Sequence, residues 1–527
     1  MSEDPVSKRI IPEKLARVRA GAPMRTLDLF SGCGGIALGF LAAGFHTIGS
    51  VELDPDASKS FATNFLRGPI GDQASLAAPK DITALEPEAT LRMIGVESPV
   101  EASVDILVGG PPCQAFARIG RAKLREVAAH PEAFRQDPRG NLYLRYLAYV
   151  RALKPLAILV ENVPDVLNYG GHNVPREICE CLEEEGYECC YTLLNSVYYG
   201  VPQMRERMFL VAVHQACQSR FEFPVPTHSC MLPEGYGHSQ RIATKYIQAS
   251  SGSLGLLDLE DPYFTPPPFA PAGLADAVSA GEALGDLPWM NPSEVLASSQ
   301  SRPRPKPFTE AMPYAAPPQN GFQHLMRSWP GFEAREGGVA DHVIRHLPRD
   351  FHFFSAMPPG CQYPELHAYA EKWFREVKLP SLRAKNHPIP APDSEEYATF
   401  KARFVPPYDP GKFPNKWRKM EQDKPSRTLL AHLGKDSYSH IHYDSGQGRT
   451  ISVREAARLQ SFPDGFVFEG AMNAAFRQIG NAVPPLMSYA IAMSLRSAIG
   501  IQPIRDIRER VWQRLEALDQ EHRTGSG

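Results

Sequence analysis

A cysteine held behind two prolines is the residue of this sequence best suited to covalent chemistry. Cys113 follows Pro111 and Pro112, which come directly after the strand-like run VDILVGG. Prolines rigidify such a loop, and ligands of open α/β sheets bind at the carboxyl ends of strands. A cysteine that only fills a core normally lies within apolar sequence. We therefore interpret Cys113 as an exposed, positioned nucleophile, with a structural thiol as the alternative.

Two further polar motifs lie next to predicted strands. Glu161 follows the apolar run LAILV, where a carboxylate is costly to bury without a partner, so it either caps a turn or works in a site. Arg205 and Arg207 precede the run MFLVAV. Their spacing of two places both on one side of an extended segment, and guanidinium groups suit carbonyl oxygens and phosphates. Either motif alone is also typical of a solvated charge cluster.

A glycine-rich turn indicates a nucleoside cofactor. The turn Ser31-Gly32-Cys33-Gly34-Gly35 follows the apolar run RTLDLF and precedes a helix-like stretch. Glycines allow a ligand to approach the backbone closely, and Glu52, at the end of the next strand, is placed to accept hydrogen bonds from ribose hydroxyls. A plain tight turn is the alternative. Because the spacing is not the full GxGxxG of nicotinamide enzymes, S-adenosylmethionine competes with NAD.

These motifs sit on an alternation of strands and helices between Arg25 and about Val213. The runs RTLDLF, HTIGSV, VDILVGG, LAILVENV and MFLVAV are typical of buried strands. Between them, IALGFLAAG, NLYLRYLAYVRALK and PREICECLEEEGY are typical of helices. This order predicts an α/β fold with a doubly wound, mostly parallel sheet.

Length and composition exclude several classes of protein. With 527 residues, 43% apolar and 22% charged, the chain can form two domains and is not a peptide, a collagen or a coiled coil. No segment approaches the roughly 18 apolar residues of a membrane span, and the N-terminus has no apolar signal core. Nine cysteines without paired spacing fit a reducing compartment. We expect a soluble, cytoplasmic protein, and the net charge of −3 excludes a uniformly basic coat.

The middle of the chain is organised differently from its ends. Segments such as FTPPPFAPAG and SRPRPKPF predict an irregular second domain, because proline blocks helices and central strands. Between Ser301 and Leu430 there are 20 Lys/Arg against 14 Asp/Glu, so positive charge is concentrated here. Regular structure returns with TISVREAARLQSFP, which Ser452 could cap, and with PLMSYAIAMSLRSAI. We predict an extension over 1–24, a catalytic domain over 25–214, an insert over 215–448, a return to the first domain over 449–502 and a terminal helix over 503–527.

Taken together and in this order, the motifs resemble those of the C5-cytosine DNA methyltransferases. The resemblance rests on DLFSGCGG, Glu52, GGPPCQ, ENV, QMRER, a long variable insert and RQIGNAVPP. It implies a Rossmann-like methyltransferase domain with a second, target-recognition domain in the insert. It also implies S-adenosylmethionine as the cofactor and double-stranded DNA as the substrate.

The resemblance assigns roles to individual residues. Cys113 would attack position 6 of cytosine, Glu161 would hold or protonate the ring nitrogen N3, and Arg207, helped by Arg205, would grip the ring oxygen. The base must be flipped out of the duplex to reach them. The cofactor would be held by Asp28, Phe30, Gly32, Gly34, Glu52, Asp81, Ile82, Pro112, Leu142, Asn481, Ala482 and Val483.

Two segments are predicted to contact DNA. Gln114, Arg118 and Arg121 lie where the family has a mobile catalytic loop, with an ordinary surface loop as the alternative. In the insert, Lys416, Arg418, Lys419 and Arg427 could make phosphate contacts that fix the register of the protein on the duplex, although charge runs are usually solvated faces.

Two positions depart from the family pattern, and several readings stay open. Ala117 stands where serine is common, and Leu53 stands where an aromatic residue often stacks on adenine. We expect no metal site, because no ligand cluster completes His440 and His442. One chain carries every predicted part, so a monomer suffices, with cognate restriction or defence proteins as possible partners. A transfer-RNA methyltransferase and a catalytically silent DNA-binding protein are the rival hypotheses.

Overall fold

A six-stranded sheet organises the catalytic half of the protein. The computed structural model describes residues 5–66, 77–112, 142–169, 172–234, 236, 261–293, 310–434 and 438–524. The strands of this half are β1 Met24–Leu29, β2 Phe45–Val51, β3 Ile106–Gly109, β4 Ala157–Asn162, β5 Tyr187–Asn195, β6 Gln203–Met204 and β7 Glu206–His214.

The sheet has the order β2-β1-β3-β4-β7-β5. Strands β1, β2, β3 and β4 pair in parallel, and β7 runs antiparallel to both β4 and β5. This confirms the predicted α/β fold with a mostly parallel sheet. The prediction did not name β5, whose first half, Tyr187-Glu188-Cys189-Cys190, is less apolar than the central strands because it lies at the sheet edge.

Helices cover both faces of the sheet. They are α1 Pro5–Arg19, α2 Gly35–Ala42, α3 Pro55–Phe65, α4 Pro87–Met93, α5 Val100–Ser103, α6 Leu142–Leu153 and α7 Val174–Glu184. Their starts follow local chemistry: Asp54 caps α3 by accepting the N–H groups of Asp56 and Ala57, and Asn173 caps α7. Short 3₁₀ turns follow β4, β5 and β7 over Pro164–Asn168, Ser196–Tyr199 and Gln215–Cys217.

Helix α1 is part of the packed structure at the amino ends of the strands. Lys14 is buried, and its ammonium donates to the carbonyl oxygens of Leu153 at 2.7 Å and Lys154 at 2.9 Å, as well as to that of Val104. Arg17 pairs with Asp105, which is buried just before β3. The predicted extension therefore lies against the edge of the sheet opposite the carboxyl ends of the strands.

The later part of the insert has an aromatic core of its own, built around Phe353, Phe354, Tyr363, Phe374 and Trp417, whereas the part before it, with Ala283, Leu325 and Trp329, is buried in the core of the catalytic half. The helices of the insert are α8 Ala280–Leu284, α9 Gly321–Ser328, α10 Phe351–Ala356, α11 Tyr363–Trp373, α12 Leu379–Ala384 and α13 Glu395–Ala402, with a π-helical turn, Phe374–Lys378, joining α11 to α12. Its strands are β8 His228–Ser229, β9 Ala275–Asp276, β10 Trp417–Lys419, β11 Ser426–Arg427 and β12 Tyr438–Ile441, and the 3₁₀ turn Ala431–Gly434 precedes β12.

The helices of the insert were not predicted individually, since their prolines argued against them. Part of that proline content is compatible with helices because it lies in first turns, where a missing N–H costs nothing. Pro364 occupies such a position in α11.

The end of the chain packs back onto the catalytic half. Its helices are α14 Val453–Leu459, α15 Met472–Asn481, α16 Pro485–Ile499 and α17 Ile507–Thr524. Ser452 forms a capping box with Glu455, as the sequence predicts. Helix α16 lies so close to α2 that a Cβ atom on Gly39 would overlap Ser488, whose hydroxyl donates to the Gly35 carbonyl at 3.0 Å. Among the described residues, every helix is too short or too polar to cross a lipid bilayer.

Candidate active site

An ion pair between Glu161 and Arg207 lies at the carboxyl end of β4. Glu161 is the fifth residue of β4, and Arg207 is the second residue of the neighbouring antiparallel strand β7. The Arg207 Nε atom lies 3.1 Å from the Glu161 Oε1 atom, and the two side chains are only 13% and 12% exposed. Sequence reasoning placed both residues in one site, and the structure brings them together.

Burial changes the acid–base properties of this pair. The pKa of Glu161 is raised above its usual value, first by burial, while the charges of Arg207 and Arg205 oppose the shift. Burial also lowers the pKa of Arg207, and the Glu161 carboxylate opposes that shift. Burial thus favours the neutral form of the Glu161 carboxyl group, the form that can donate a hydrogen bond or a proton to a ligand.

The loop before Cys113 lies directly on the Glu161 side chain. The Asn162 Nδ2 atom donates to the Pro111 carbonyl at 2.7 Å, which ties this loop to the end of β4. A Cβ atom on Gly110 would lie 2.8 Å from the Glu161 Oε2 atom. Pro112 is exposed at the end of the described loop. Cys113, Gln114, Arg118 and Arg121 lie outside the described residues, so their predicted roles stay predictions.

Arg205 occupies a different environment from Arg207. It is 1% exposed, and its two terminal nitrogens donate to the carbonyl oxygens of Leu429 at 2.8 Å and Gly480 at 2.9 Å. Its guanidinium group therefore joins three segments of the chain: the start of β7, the insert and the end of α15. The prediction that Arg205 helps Arg207 to grip a ring oxygen stays a prediction, and the structure shows the Arg205 guanidinium bound to backbone carbonyls.

Gln203, which the sequence analysis did not single out, strengthens the same junction. Its Oε1 atom accepts the Leu429 N–H at 2.8 Å, and its Nε2 atom donates to the Leu459 carbonyl at 3.2 Å. Strand β6 also pairs in parallel with β11, placing Gln203 next to Ser426 and Met204 next to Arg427. Gln203 is the first residue of the motif QMRER, so the motif pointed to this position. That its side chain is buried is seen only in the structure.

A second region, at the carboxyl ends of β1 and β2, has the features of a nucleoside site. The two oxygens of the Glu52 carboxylate accept the N–H groups of Gly32 at 2.8 Å and Asp54 at 2.7 Å. The Leu53 N–H is a third backbone donor to this carboxylate. A carboxylate offers about four acceptor positions, so capacity remains for a ribose hydroxyl. Gly32 has a positive φ of 55°, and a Cβ atom there would meet nothing within 4 Å, so the turn borders open space.

The residues around this turn differ in how far they are exposed to solvent. Phe30 has a positive φ of 58°, which is unusual for a residue with a side chain and marks a constrained turn. Asp28 is fully buried in β1, and burial together with the charge of Glu52 raises the pKa of its carboxyl group well above the usual value. Leu53 is 64% exposed beside Glu52 and presents an apolar surface where the family often has an aromatic ring.

Two glycines of the turn Ser31–Gly35 allow neighbouring residues to pack against the backbone. Gly34 has a positive φ of 101°, and a Cβ atom there would overlap the Phe65 ring. A Cβ atom on Gly35 would overlap the Val483 carbonyl and lie 3.2 Å from Ala482. The turn is therefore pressed against the segment Asn481-Ala482-Val483, as the resemblance implies.

The remaining predicted cofactor residues border the same region. The Lys80 N–H donates to the Glu52 carbonyl at 2.6 Å, which brings the following residues, Asp81 and Ile82, next to β2. The Asp81 carboxylate accepts the Thr83 N–H at 2.8 Å, and Ile82 is buried. Leu142 is partly exposed as the first residue of α6.

The predicted DNA-contacting residues of the insert divide into two groups. Arg427 lies at the junction with the catalytic half, Arg418 pairs with Glu421 within the insert, and the Lys416 ammonium lies 3.6 Å from the centre of the Tyr408 ring. Lys419, in contrast, is fully buried and donates to the Phe354 carbonyl at 2.9 Å and to the Ser445 hydroxyl at 2.6 Å. The structure corrects the prediction for Lys419: its ammonium is committed inside the insert and does not reach a phosphate.

This correction can be tested by replacing Lys419 with methionine, which keeps the length of the side chain and removes its charge. We expect the affinity for duplex DNA to change by less than about 2-fold, because a buried group adds little to phosphate binding. Burial lowers the pKa of Lys419 to about 8, so the change in protein stability should depend on pH between about 8 and 10. Fluorescence anisotropy measures the affinity, and a large loss of binding in a folded variant would restore Lys419 as a DNA contact.

The two histidines that suggested a metal site have other partners. The His440 Nε2 atom lies 3.0 Å from the Arg427 carbonyl, and the His442 ring lies 3.5 Å from Glu455. Burial lowers the pKa of each ring to about 4. In the described part of the chain there is no group of three His, Cys, Asp or Glu side chains arranged for a metal ion. The expectation that no metal is needed stays a prediction.

Known proteins share the fold and much of the sequence of this chain. A solved structure with a TM-score of 0.55 and 19% identity covers 90% of this chain and 99% of its own; it is described as a DNA modification methyltransferase encoded within an E. coli prophage. A relative from Oceanobacillus iheyensis, named as a type II methyltransferase, M.OihORF3336P, is 39% identical over 90% of this chain and 95% of its own length. The type II methyltransferase M.AgeI of Thalassovita gelatinovora is 29% identical over 90% of this chain and all of its own.

A match to a family profile identifies the family of this chain. The profile of the C-5 cytosine-specific DNA methylases matches residues 24–250 and 374–497, about two thirds of the chain, and leaves residues 251–373 of the insert unmatched. The matched segments contain the Glu161–Arg207 pair and the Glu52 turn described above. The chain belongs to the family of C-5 cytosine-specific DNA methylases.

Proposed function

We propose that the protein methylates position 5 of cytosine in double-stranded DNA, with S-adenosylmethionine as the methyl donor and Cys113 as the nucleophile. The observation that carries this proposal is the buried Glu161–Arg207 pair, which lies against the loop that leads into Cys113. Family membership fixes the reaction class, and the geometry supports the residue roles. Relatives named as type II methyltransferases favour a restriction-modification setting.

The chemistry needs a group that activates a poor nucleophile. Position 5 of cytosine gains electron density only when a nucleophile adds to position 6, and a thiolate suits this addition. The Cys113 sulfur would form the bond to position 6 while electrons move toward N3 and position 5. After methyl transfer, loss of the proton at position 5 would expel the thiolate and restore the aromatic ring.

Glu161 and Arg207 would stabilise the ring during this addition. With its pKa raised by burial, the Glu161 carboxyl group can carry the proton that N3 needs as negative charge develops there. The Arg207 Nε atom contacts Glu161, and its Nη1 atom donates to the Glu206 carbonyl at 2.7 Å. Among the described residues the Nη2 atom has no hydrogen-bond partner, and it would contact the ring oxygen. Arg205 would hold this assembly in place from behind.

The residues at the β1–β2 edge fit S-adenosylmethionine. When bound, S-adenosylmethionine supplies the methyl group that position 5 receives. Glu52 has acceptor capacity for ribose hydroxyls, and Leu53 offers an exposed apolar side chain for a flat base. The substitution of an aromatic residue by Leu53 predicts weaker stacking than the family pattern provides.

Label transfer and sequencing test the proposal. Purified protein with methyl-labelled S-adenosylmethionine should label plasmid DNA and should not label transfer RNA. Bisulfite sequencing of DNA from an expressing host should then show 5-methylcytosine within one recognition sequence. Labelling of transfer RNA alone would favour the RNA rival, and no labelling of any nucleic acid by protein that binds duplex DNA would favour the catalytically silent one.

A further inference from the structure

Three phenylalanines from distant parts of the chain pack together behind the glycine-rich turn; we call Phe65, Phe332 and Phe466 the phenylalanine cluster. Phe65 ends helix α3, Phe466 lies between α14 and α15, and Phe332 comes from the first part of the insert. The ring centre of Phe65 lies 5.9 Å from that of Phe332 and 6.1 Å from that of Phe466. Phe332 and Phe466 are stacked with their centres 5.9 Å apart. At these separations the rings attract each other directly.

Phe65 connects the cluster to the turn. A Cβ atom on Gly34 would overlap the Phe65 ring, whereas a Cβ atom on Gly32 would meet nothing within 4 Å. The turn therefore has open space at Gly32 and the Phe65 ring at Gly34. The Gly32 N–H donates to the Glu52 carboxylate at 2.8 Å, so the position of the turn also affects the group predicted to hold the ribose.

The backbone around Phe332 is fixed against the catalytic half. The Gly465 N–H donates to the Phe332 carbonyl at 3.1 Å, and the Asp464 N–H donates to the Met326 carbonyl at 2.8 Å. A Cβ atom on Gly465 would overlap the carbonyl oxygens of Phe332 and Glu333, so the two backbones are in direct contact. The Phe332 ring is 4% exposed. Its position is thus set by the backbone as well as by its ring contacts.

A network of buried charges holds the same part of the insert in place. The Arg458 guanidinium donates to the Asp464 carboxylate at 2.8 and 2.6 Å, and it also donates to Asp286 at 3.3 Å. Asp286 accepts a second hydrogen bond, from the Arg327 Nε atom, at 2.8 Å. Separation of these groups would leave buried charges without partners, which is strongly unfavourable. The network therefore resists any movement of Phe332 away from Phe65.

The family match divides the cluster. Phe65 and Phe466 lie in the matched segments, and Phe332 lies within residues 251–373, which the family profile leaves unmatched. Phe332 belongs to the part of the insert that is buried in the core of the catalytic half, whereas the later part has an aromatic core of its own. The contact behind the turn is therefore made by the insert of this chain.

We propose that Phe332 is a positioning residue for S-adenosylmethionine, because it holds the glycine-rich turn in its binding conformation through Phe65. This inference rests on the proposed function for the identity of the cofactor. Gly32 and Gly34 both have positive φ, so the turn has little steric restriction of its own. Without the Phe332 ring, Phe65 gains space to move, and the turn gains conformations that must be ordered again when the cofactor binds. The first part of the insert thus serves cofactor binding.

Calorimetric titration with S-adenosylmethionine tests this role in wild type, Phe332→Leu and Phe332→Met. The matched control is Phe374→Leu: Phe374 is also buried and stacks on Phe404 with ring centres 5.9 Å apart, but in the core of the later part of the insert. Both Phe332 variants should bind the cofactor about 3- to 10-fold more weakly than wild type, which corresponds to the loss of one aromatic pair. Phe374→Leu should bind it as wild type does.

DNA affinity and kinetics distinguish positioning from a general loss of structure. Both Phe332 variants should bind duplex DNA without cofactor within about 2-fold of wild type in fluorescence anisotropy, since phosphate contacts dominate that affinity. They should raise the KM for S-adenosylmethionine and keep kcat at saturating cofactor. Thermal unfolding confirms that each variant is folded at the temperature of measurement. Wild-type cofactor affinity in both folded Phe332 variants, or an equal loss in Phe374→Leu, would overturn the inference.

A double-mutant cycle tests whether Phe332 acts through Phe65. Phe65→Leu should weaken cofactor binding, and Phe332→Leu should add little to it, because the ring that transmits the effect is already missing. Full additivity of the two losses in folded proteins would contradict this route.

Methyl transfer by the wild-type protein separates this inference from the proposed function. If wild type methylates DNA but both folded Phe332 variants bind S-adenosylmethionine with wild-type affinity, the inference is wrong and the proposed function stands. If wild type binds S-adenosylmethionine but methylates no cytosine, while both Phe332 variants bind the cofactor more weakly and Phe374→Leu does not, the proposed function fails and the inference is supported.

Discussion

Replacing Cys113 with alanine should abolish methyl transfer while the protein still binds S-adenosylmethionine. Removal of a covalent nucleophile leaves only binding and positioning, so we expect a loss of at least about 10³-fold in the single-turnover rate. Cys113 is not one of the residues assigned to the cofactor, and Glu52 and the glycine turn, which carry most of that assignment, lie at the carboxyl ends of β1 and β2. Incorporation of labelled methyl groups into plasmid DNA measures the rate, and calorimetry measures cofactor binding.

The matched control is Cys181→Ala, which removes a partly exposed thiol on α7. This variant should transfer methyl groups at the wild-type rate. Duplex DNA containing 5-fluorocytosine adds a second readout: wild type and Cys181→Ala should form a complex that survives denaturing electrophoresis, and Cys113→Ala should not. Substantial methyl transfer by Cys113→Ala would remove the covalent step from the proposed mechanism.

The sequence predicted the elements of the catalytic half well because their signals are local. Helix α16 has the bounds of the run PLMSYAIAMSLRSAI, and Ser452 caps α14 through a capping box. Both signals depend on residues within one or two turns of a helix. The strands β1, β3 and β4 were equally visible, because strands buried on both faces are nearly continuous apolar runs.

The contacts of single charged residues could not be predicted in the same way. Lys419 and Lys416 lie in one basic run, but Lys419 points into the core of the insert and Lys416 toward the partly buried ring of Tyr408. Which of them is buried depends on the fold of residues far away in the chain, such as Phe354 and Ser445. Arg205 and Arg207 likewise share a motif and a spacing, although only Arg207 contacts Glu161 through its side chain.

That Gly110 is the neighbour of Glu161 follows from the register between strands β3 and β4. Neither the motif GGPPCQ nor the motif ENV shows this register by itself. In the parallel pair β3–β4, Gly109 lies opposite Val160, so the next residues along each strand, Gly110 and Glu161, are also neighbours. The glycines of GGPPCQ therefore do more than give the loop conformational freedom. At the second glycine, the absence of a side chain gives the Glu161 carboxyl group its space.

Replacing Gly110 with alanine should therefore reduce methyl transfer strongly in a protein that still folds. The new methyl group would lie 2.8 Å from the Glu161 Oε2 atom, closer than real Cβ contacts, so the carboxyl end of that flexible side chain must move. Displacing a group that handles a proton in the transition state costs about 10²- to 10⁴-fold in rate. Single-turnover methyl transfer measures this loss, and Gly321→Ala, where a Cβ atom meets nothing within 4 Å, is the control that should keep the wild-type rate.

A double-mutant cycle shows whether the effect passes through Glu161. If the methyl group of Gly110→Ala acts by displacing the carboxyl group, it should slow the wild type but add little to Glu161→Ala, because the displaced group is already missing. Thermal unfolding of all four proteins accounts for losses caused by instability. Full additivity of the two rate losses in folded proteins would mean that Gly110 acts elsewhere, for example on the path of the loop toward Cys113, and not on the carboxyl group that it faces.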